Sequence, residues 1–162
     1  MCVKAIYPGT FDPVTYGHID IIKRALDIFG ELTVAVAHNP HKHPFFTLKE
    51  RLQMVREATA GLDGVTVDEF DDLVVDYALR QKARVLIRGV RMVSDFEYEF
   101  QMALTNRKLK PQVETIFMMP HESFSYISSK LLKEAASLGA DVSCFLPPCA
   151  AKALQRKLRR AR

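Results

Sequence analysis

His18 closes the run Tyr7-Pro8-Gly9-Thr10-Phe11-Asp12-Pro13-Val14-Thr15-Tyr16-Gly17-His18, which is rich in glycine, threonine and proline. A histidine near a helix start is more often a cap or packing residue than a catalyst. Here the context favours chemistry. Gly9 and Gly17 let backbone approach a ligand, Thr10 and Thr15 offer hydroxyls, and an imidazole can donate to a phosphate oxygen as negative charge builds in a transition state. The first N–H groups of a following helix add a site for an anion. The spacing does not suit a zinc protease, which needs two histidines and a glutamate on one helical face. His38, His41 and His43 lie among two prolines and Lys42, and no metal site is expected from them.

A second candidate is Arg88-Gly89-Val90-Arg91, two guanidinium forks around a glycine. Their alternative role is a pair of surface arginines bound to Asp95, Glu97 or Glu99. Position after a strand-like run favours a ligand. The third is Phe124-Ser125-Tyr126-Ile127-Ser128-Ser129-Lys130, with hydroxyls at a helix start that serve either as caps or as phosphate donors. Two phosphate-friendly helix starts in one small chain point to a polyphosphate ligand.

The elements that must position these residues follow from the hydrophobic pattern. Strand-like runs recur at Lys4–Ile6, Leu32–Ala37, Val65–Val67, Val85–Ile87 and Glu114–Met118, each followed by helical spacing. Such alternation predicts βαβ units and a parallel sheet, an α/β doubly wound Rossmann-like fold. Thr47-Leu48-Lys49-Glu50 has the capping-box pattern, and Leu48, Leu52 and Val55 continue an apolar stripe. Further helices are predicted over Leu73 to Arg80, along Phe96, Phe100, Ala103, Leu104 and Leu109, and after a Ser128 cap. In such sheets ligands lie beyond the carboxyl ends of the strands, where strand order reverses. The candidate residues all fall in those loops.

Residues 1–162 are expected to form a single domain ending in a basic helix at about 148–162. Its net charge of +4 comes partly from that tail, read as a solvated helix rather than a nucleic-acid patch. No apolar run approaches the roughly 18 residues of a membrane span. With no secretory leader and three cysteines lacking CxxC spacing, a reducing, cytoplasmic protein is expected.

In this order, the pieces resemble the nucleotidyltransferase superfamily with its (T/H)xGH motif, here Thr15-Tyr16-Gly17-His18, and its ISS motif, here Ile127-Ser128-Ser129 followed by Lys130. More narrowly, four blocks resemble the bacterial phosphopantetheine adenylyltransferase family: Ala5–Ile22, His41–Arg51, Leu86–Arg107 and Ser125–Glu134. The resemblance implies AMP transfer from ATP to 4′-phosphopantetheine, giving dephospho-coenzyme A and pyrophosphate with Mg²⁺ assisting. It also implies a cytoplasmic homohexamer with coenzyme A competing for the site, and neither nucleic acid nor membrane as partner.

Carried over by motif, the catalytic set is His18 as transition-state stabiliser with Thr10, Lys42 and Arg91. Gly9, Thr10, Phe11 and His18 would lie along ATP, with Gly89, Val90, Arg91, Glu99 and the stretch Phe124, Ser125, Tyr126, Ile127, Ser128, Ser129 and Lys130 completing its site. Thr10, Lys42 and Arg88 would meet the acceptor, and Val74 its pantetheine arm. Lys130 stands where a hydroxyl residue usually closes the ISS motif, replacing a hydroxyl by an ammonium for the same anion. An acceptor that is itself a phosphate needs no protein nucleophile, so positioning and charge stabilisation would carry catalysis. The alternatives are a nucleotidyltransferase acting on nicotinamide mononucleotide or glycerol phosphate, and a non-catalytic nucleotide- or RNA-binding module.

Overall fold

The structure, a computed structural model, describes residues 3–38 and 43–160. Five parallel strands, β1 (Ala5–Gly9), β2 (Leu32–Ala37), β3 (Val65–Phe70), β4 (Val85–Gly89) and β5 (Glu114–Met118), form one sheet in the order β3-β2-β1-β4-β5. Helices α1 (Tyr16–Phe29), α2 (Leu48–Thr59), α3 (Val74–Arg80) and α4 (Val93–Leu109) connect consecutive strands, and α5 (Ser129–Ser137) and α6 (Pro148–Arg160) follow the last. This is the doubly wound α/β fold that the alternating pattern predicts. Successive strands step outward from β1 to β3, and the chain then crosses back to β4, so strand order reverses between β1 and β4.

Alternating side chains of β1 feed two cores. Ala5 and Tyr7 join a large apolar cluster with Ile22 and Ala25 of α1, Val55 of α2, Leu132 of α5 and Leu154 of α6. Ile6 points the other way, into a smaller cluster with Val75, Tyr77 and Ala78 of α3 and Leu86 of β4. The predicted basic helix is present as α6 up to Arg160, but it is docked rather than wholly solvated. It buries Ala150 and Leu154, and Lys157 reaches Glu50 at 2.7 Å.

Strand limits differ from the sequence expectation in an instructive way. Tyr7-Pro8-Gly9 reads locally as loop, yet it continues β1 through the parallel register Tyr7↔Val34, Pro8↔Ala35 and Gly9↔Val36. Pairing of β1 with β4 stops after Ile6↔Leu86. Pro8, which has no N–H, comes just where that pairing has ended. The two central strands therefore part at the switch point, and the gap opens into a cleft.

The apolar series on α4 marks the helix correctly but not its buried side. Phe96, Phe100, Leu104 and Leu109 are exposed, and Glu99 is the buried residue of this helix. The physical reason is Arg88, which draws the Glu99 carboxylate inward.

Candidate active site

The cleft at the switch point has a volume of about 520 Å³ and is walled by the loop after β1, the start of α1, the end of β4, the first turns of α4 and the start of α5. Thr15 caps α1 in a capping box whose third helical position is His18 rather than the usual Glu or Gln. The Thr15 backbone N–H donates to His18 Nδ1 at 3.0 Å, and the Thr15 hydroxyl lies 3.1 Å from the same nitrogen. With Nδ1 engaged as acceptor, the neutral ring carries its proton on Nε2. His18 is thus both the cap and a donor.

Phe11 sets the ring in place. Its φ of 50° lies in the left-handed region, which costs a bulky residue about 1–2 kcal/mol. Burial holds it there: Phe11 is 2% exposed, and its ring meets Tyr7 and His18 edge-on at centroid distances of 5.5 and 5.0 Å. A Cβ on Gly9 would come within 2.9 Å of the Phe11 ring, so that glycine makes room for the aromatic. Gly17 is different. A Cβ there would find only ordinary contacts, 3.5 Å from Thr15 and 3.6 Å from Phe124, so the protein's own packing does not require glycine at this point on the cleft wall.

Burial, with a smaller contribution from the nearby Arg91 and Arg88 charges, lowers the His18 pKa from 6.5 to about 4. The ring is therefore a neutral donor across the physiological range. The unfolded chain binds this proton near pH 6.5 and the folded one only near 4, so His18 contributes stability above pH 6.5 that is lost as pH falls towards 4. The expected slope is about 1.4 kcal/mol per pH unit inside that window. Urea unfolding measured against pH should show this slope in the wild type and its loss in His18→Gln.

Arg88 and Arg91 satisfy both readings of their segment, because each is ion-paired and each lines the cleft. Arg88 donates through Nε and Nη2 to the two oxygens of Glu99 at 2.7 and 2.5 Å, and through Nη1 to the Pro8 carbonyl at 2.8 Å across the parted strands. Burial alone would pull its pKa down, but the Glu99 carboxylate more than offsets this and holds the guanidinium charged. Arg91 grips Asp95 at 3.0 Å and donates to the Ile127 carbonyl at 2.6 Å, fastening the ISS segment to the start of α4.

Ser128 caps α5 by accepting from the Leu131 N–H at 3.1 Å, as predicted, while the Ser129 hydroxyl donates to the Pro13 carbonyl at 2.8 Å. The Ser129 and Lys130 N–H groups precede any helical acceptor, as do those of Tyr16 and Gly17 at α1. Two positive helix ends, two guanidinium groups, an ammonium and a neutral imidazole N–H thus converge on one cleft. That set suits a polyphosphate.

Of the residues singled out in the sequence, the structure brings Gly9, Thr10, Phe11, His18, Arg88, Gly89, Arg91, Glu99, Ile127, Ser128, Ser129 and Lys130 to the cleft wall. Val74 instead packs beside the smaller core cluster, and Val90 is buried, with its N–H bonded to the Met118 carbonyl. Phe124 lies beside Tyr16 and His121, Ser125 turns back to the Glu122 carbonyl, and Tyr126 meets Phe145, so these three stand off the wall. Lys42 and His41 lie outside the described residues. Ser94, Tyr98 and Tyr7 line the cleft without having been assigned a role, and Asp95 and Thr15, read as an arginine partner and a hydroxyl donor, line it too.

A parallel doubly wound sheet with a polyphosphate-suited cleft at its switch point and a histidine donor after the first strand defines a nucleotide-handling α/β enzyme. The cytidylyltransferase-like family model matches residues 6–135, and the chain belongs to that family. Within it, the chain is 53% identical to phosphopantetheine adenylyltransferase of Caldanaerobacter subterraneus subsp. tengcongensis, covering 97% of this chain and 98% of the relative. It is also 53% identical to phosphopantetheine adenylyltransferase of Heliobacterium modesticaldum, over 89% of this chain and 86% of that one. It is thus a member of the phosphopantetheine adenylyltransferase family.

Two solved structures share the fold at low identity. One, from Vibrio parahaemolyticus and provisionally named a nicotinate-nucleotide adenylyltransferase, has a TM-score of 0.68 and 21% identity over 95% of this chain and 99% of its own. The other, a lipopolysaccharide core biosynthesis protein of Thermoplasma volcanium, has a TM-score of 0.57 and 20% identity over 74% of this chain and 98% of its own.

Proposed function

We propose that this chain transfers AMP from ATP to 4′-phosphopantetheine, yielding dephospho-coenzyme A and pyrophosphate in coenzyme A biosynthesis. The observation that carries the reading is the His18 donor, its tautomer set by Thr15, in a cleft between two helix N-termini. The family relationship supports the choice of acceptor.

The acceptor phosphate attacks the α-phosphorus of ATP in line, the bond to the β-phosphate oxygen breaks, and pyrophosphate leaves. No protein nucleophile is required, and no strong base, because the acceptor is already an anion. Charge developing on the α-phosphate is met by Thr10, by His18 Nε2–H and by the free N–H groups of α1. Arg91 and the start of α5, with Ser128, Ser129 and Lys130, suit the departing phosphates. On the acceptor side the reading assigns Lys42 and Arg88, with Thr10 between the two substrates.

Mg²⁺ belongs to the same reading. Both carboxylates on the cleft wall, Asp95 and Glu99, are engaged by Arg91 and Arg88, and the described residues contain no cluster of three metal-binding side chains. The arrangement therefore fits an ion held by the nucleotide's phosphate oxygens and water. Such an ion neutralises phosphate charge during transfer.

We read the whole chain as one nucleotidyltransferase domain working in the cytoplasm, with coenzyme A competing for the acceptor side. No helix among the described residues is long and apolar enough to cross a membrane. Assembly as a homohexamer is supported by the apolar side chains of α4 left uncovered in the single chain, Phe96, Phe100 and Leu104. Six copies of an 18.4 kDa chain sediment near 110 kDa, and a monomer at working concentration would contradict this.

The test of the reaction is pyrophosphate release with ATP and Mg²⁺ against phosphopantetheine, nicotinamide mononucleotide and glycerol phosphate. Turnover is expected with phosphopantetheine alone, and activity confined to either of the others would overturn the assignment.

A further inference from the structure

Arg51 is the largest fully buried side chain of the described structure, 1% exposed, and it makes no ion pair among the described residues. A cation taken out of water is costly unless its donors are answered, and here carbonyl oxygens answer four of the five guanidinium N–H groups. The guanidinium donates to the Thr10 and Ala37 carbonyls, each at 2.8 Å, to His38 at 3.2 Å and, through Nε, to Phe46 at 3.3 Å. One side chain thus joins three separate pieces of backbone. They are the loop after β1 that carries Thr10, the end of β2, and the segment that leads into α2.

Asp12 grips the same region from the other side. Its two carboxylate oxygens accept from the Phe45 and Phe46 N–H groups at 2.8 Å each, and Lys133 of α5 reaches it at 2.5 Å. The backbone on either side of residues 39–42 is therefore bound to the loop that bears Thr10.

We propose that Arg51 is a positioning residue for the acceptor: with Asp12, it ties the loop that bears Thr10 to the end of β2 and to the segment leading into α2, and so sets where Thr10 meets the acceptor phosphate relative to the nucleotide. The proposal rests on the adenylyl-transfer reading given above. A planar fork is needed because its donors leave in fixed, divergent directions, whereas a lysine ammonium reaches these carbonyls only in part. A displacement of the order of an ångström between reacting groups is enough to lower turnover steeply.

The experiment is steady-state kinetics of Arg51→Lys and, separately, Asp12→Asn, with ATP binding by calorimetry and folding by circular dichroism. Asp12→Asn leaves the guanidinium in place and so tests the same hold by a second route should Arg51→Lys not fold. The expected result is a KM for phosphopantetheine raised about 10-fold or more and a lowered kcat, with ATP affinity within about 2-fold of the wild type. A folded variant in which both KM values are unchanged, and kcat falls only with the folded fraction, overturns the proposal. Equal weakening of ATP and acceptor overturns it as well. Wild type assayed alongside keeps the two readings apart: if it is inactive with phosphopantetheine, the substrate assignment fails, and the same split is then read with whichever acceptor turns over.

Discussion

His18→Ala is expected to lower turnover by about 10²-fold or more, as for loss of one preorganised donor to a developing oxyanion. The geometry also predicts a separate structural cost. Alanine removes the acceptor for the Thr15 N–H, half of the capping box on α1, worth about 1 kcal/mol. The two effects can be divided. His18→Gln places at the third helical position a side chain that ordinarily completes a capping box, so it should restore stability without restoring turnover. Single-turnover kinetics paired with urea unfolding reads both quantities, and near-normal turnover in either variant would remove the assigned role. Because the ring is already neutral in the folded protein, the kcat/KM profile should show no inflection near pH 6.5 from this residue.

Arg88→Ala is expected to act on both stability and the acceptor side. Glu99 is 8% exposed, and both its oxygens depend on the guanidinium. Removing Arg88 leaves that carboxylate buried and uncompensated, at a cost of about 3 kcal/mol. Adding Glu99→Gln should recover much of the stability, since an amide carries no charge to strand, while acceptor affinity stays low. Calorimetry with each substrate separately checks this: phosphopantetheine binding should weaken and ATP binding be largely kept. Equal loss of both would contradict the division of labour between the two arginines.

What was legible in the chain was local. Thr47 with Glu50 and Ser128 with Leu131 are contacts between near neighbours, so residue type and spacing contain these caps. The Thr15–His18 cap is equally local but was hidden by a histidine where Glu or Gln is usual. The α/β alternation likewise needs only the hydrophobic period. Arg51 escaped because a charged residue among Leu48, Leu52 and Val55 reads as the edge of a stripe. Its one signal was that helical spacing puts it on the apolar side. On α4 the period announced a helix but not which face would be buried, since that depended on an arginine from another strand.

The sequence by itself determined the doubly wound fold, the helix starts and the residue types that suit phosphate, because each of these is written in neighbours a few positions apart. Only the tertiary structure decided that β1 continues through Pro8 and Gly9 and then parts from β4. It alone showed that the proton of His18 lies on Nε2, that Arg88 crosses the gap to Pro8, and that Arg51 gathers carbonyls from three segments. Those outcomes depend on which distant backbone groups are left without partners once the sheet forms, and no spacing along the chain encodes that.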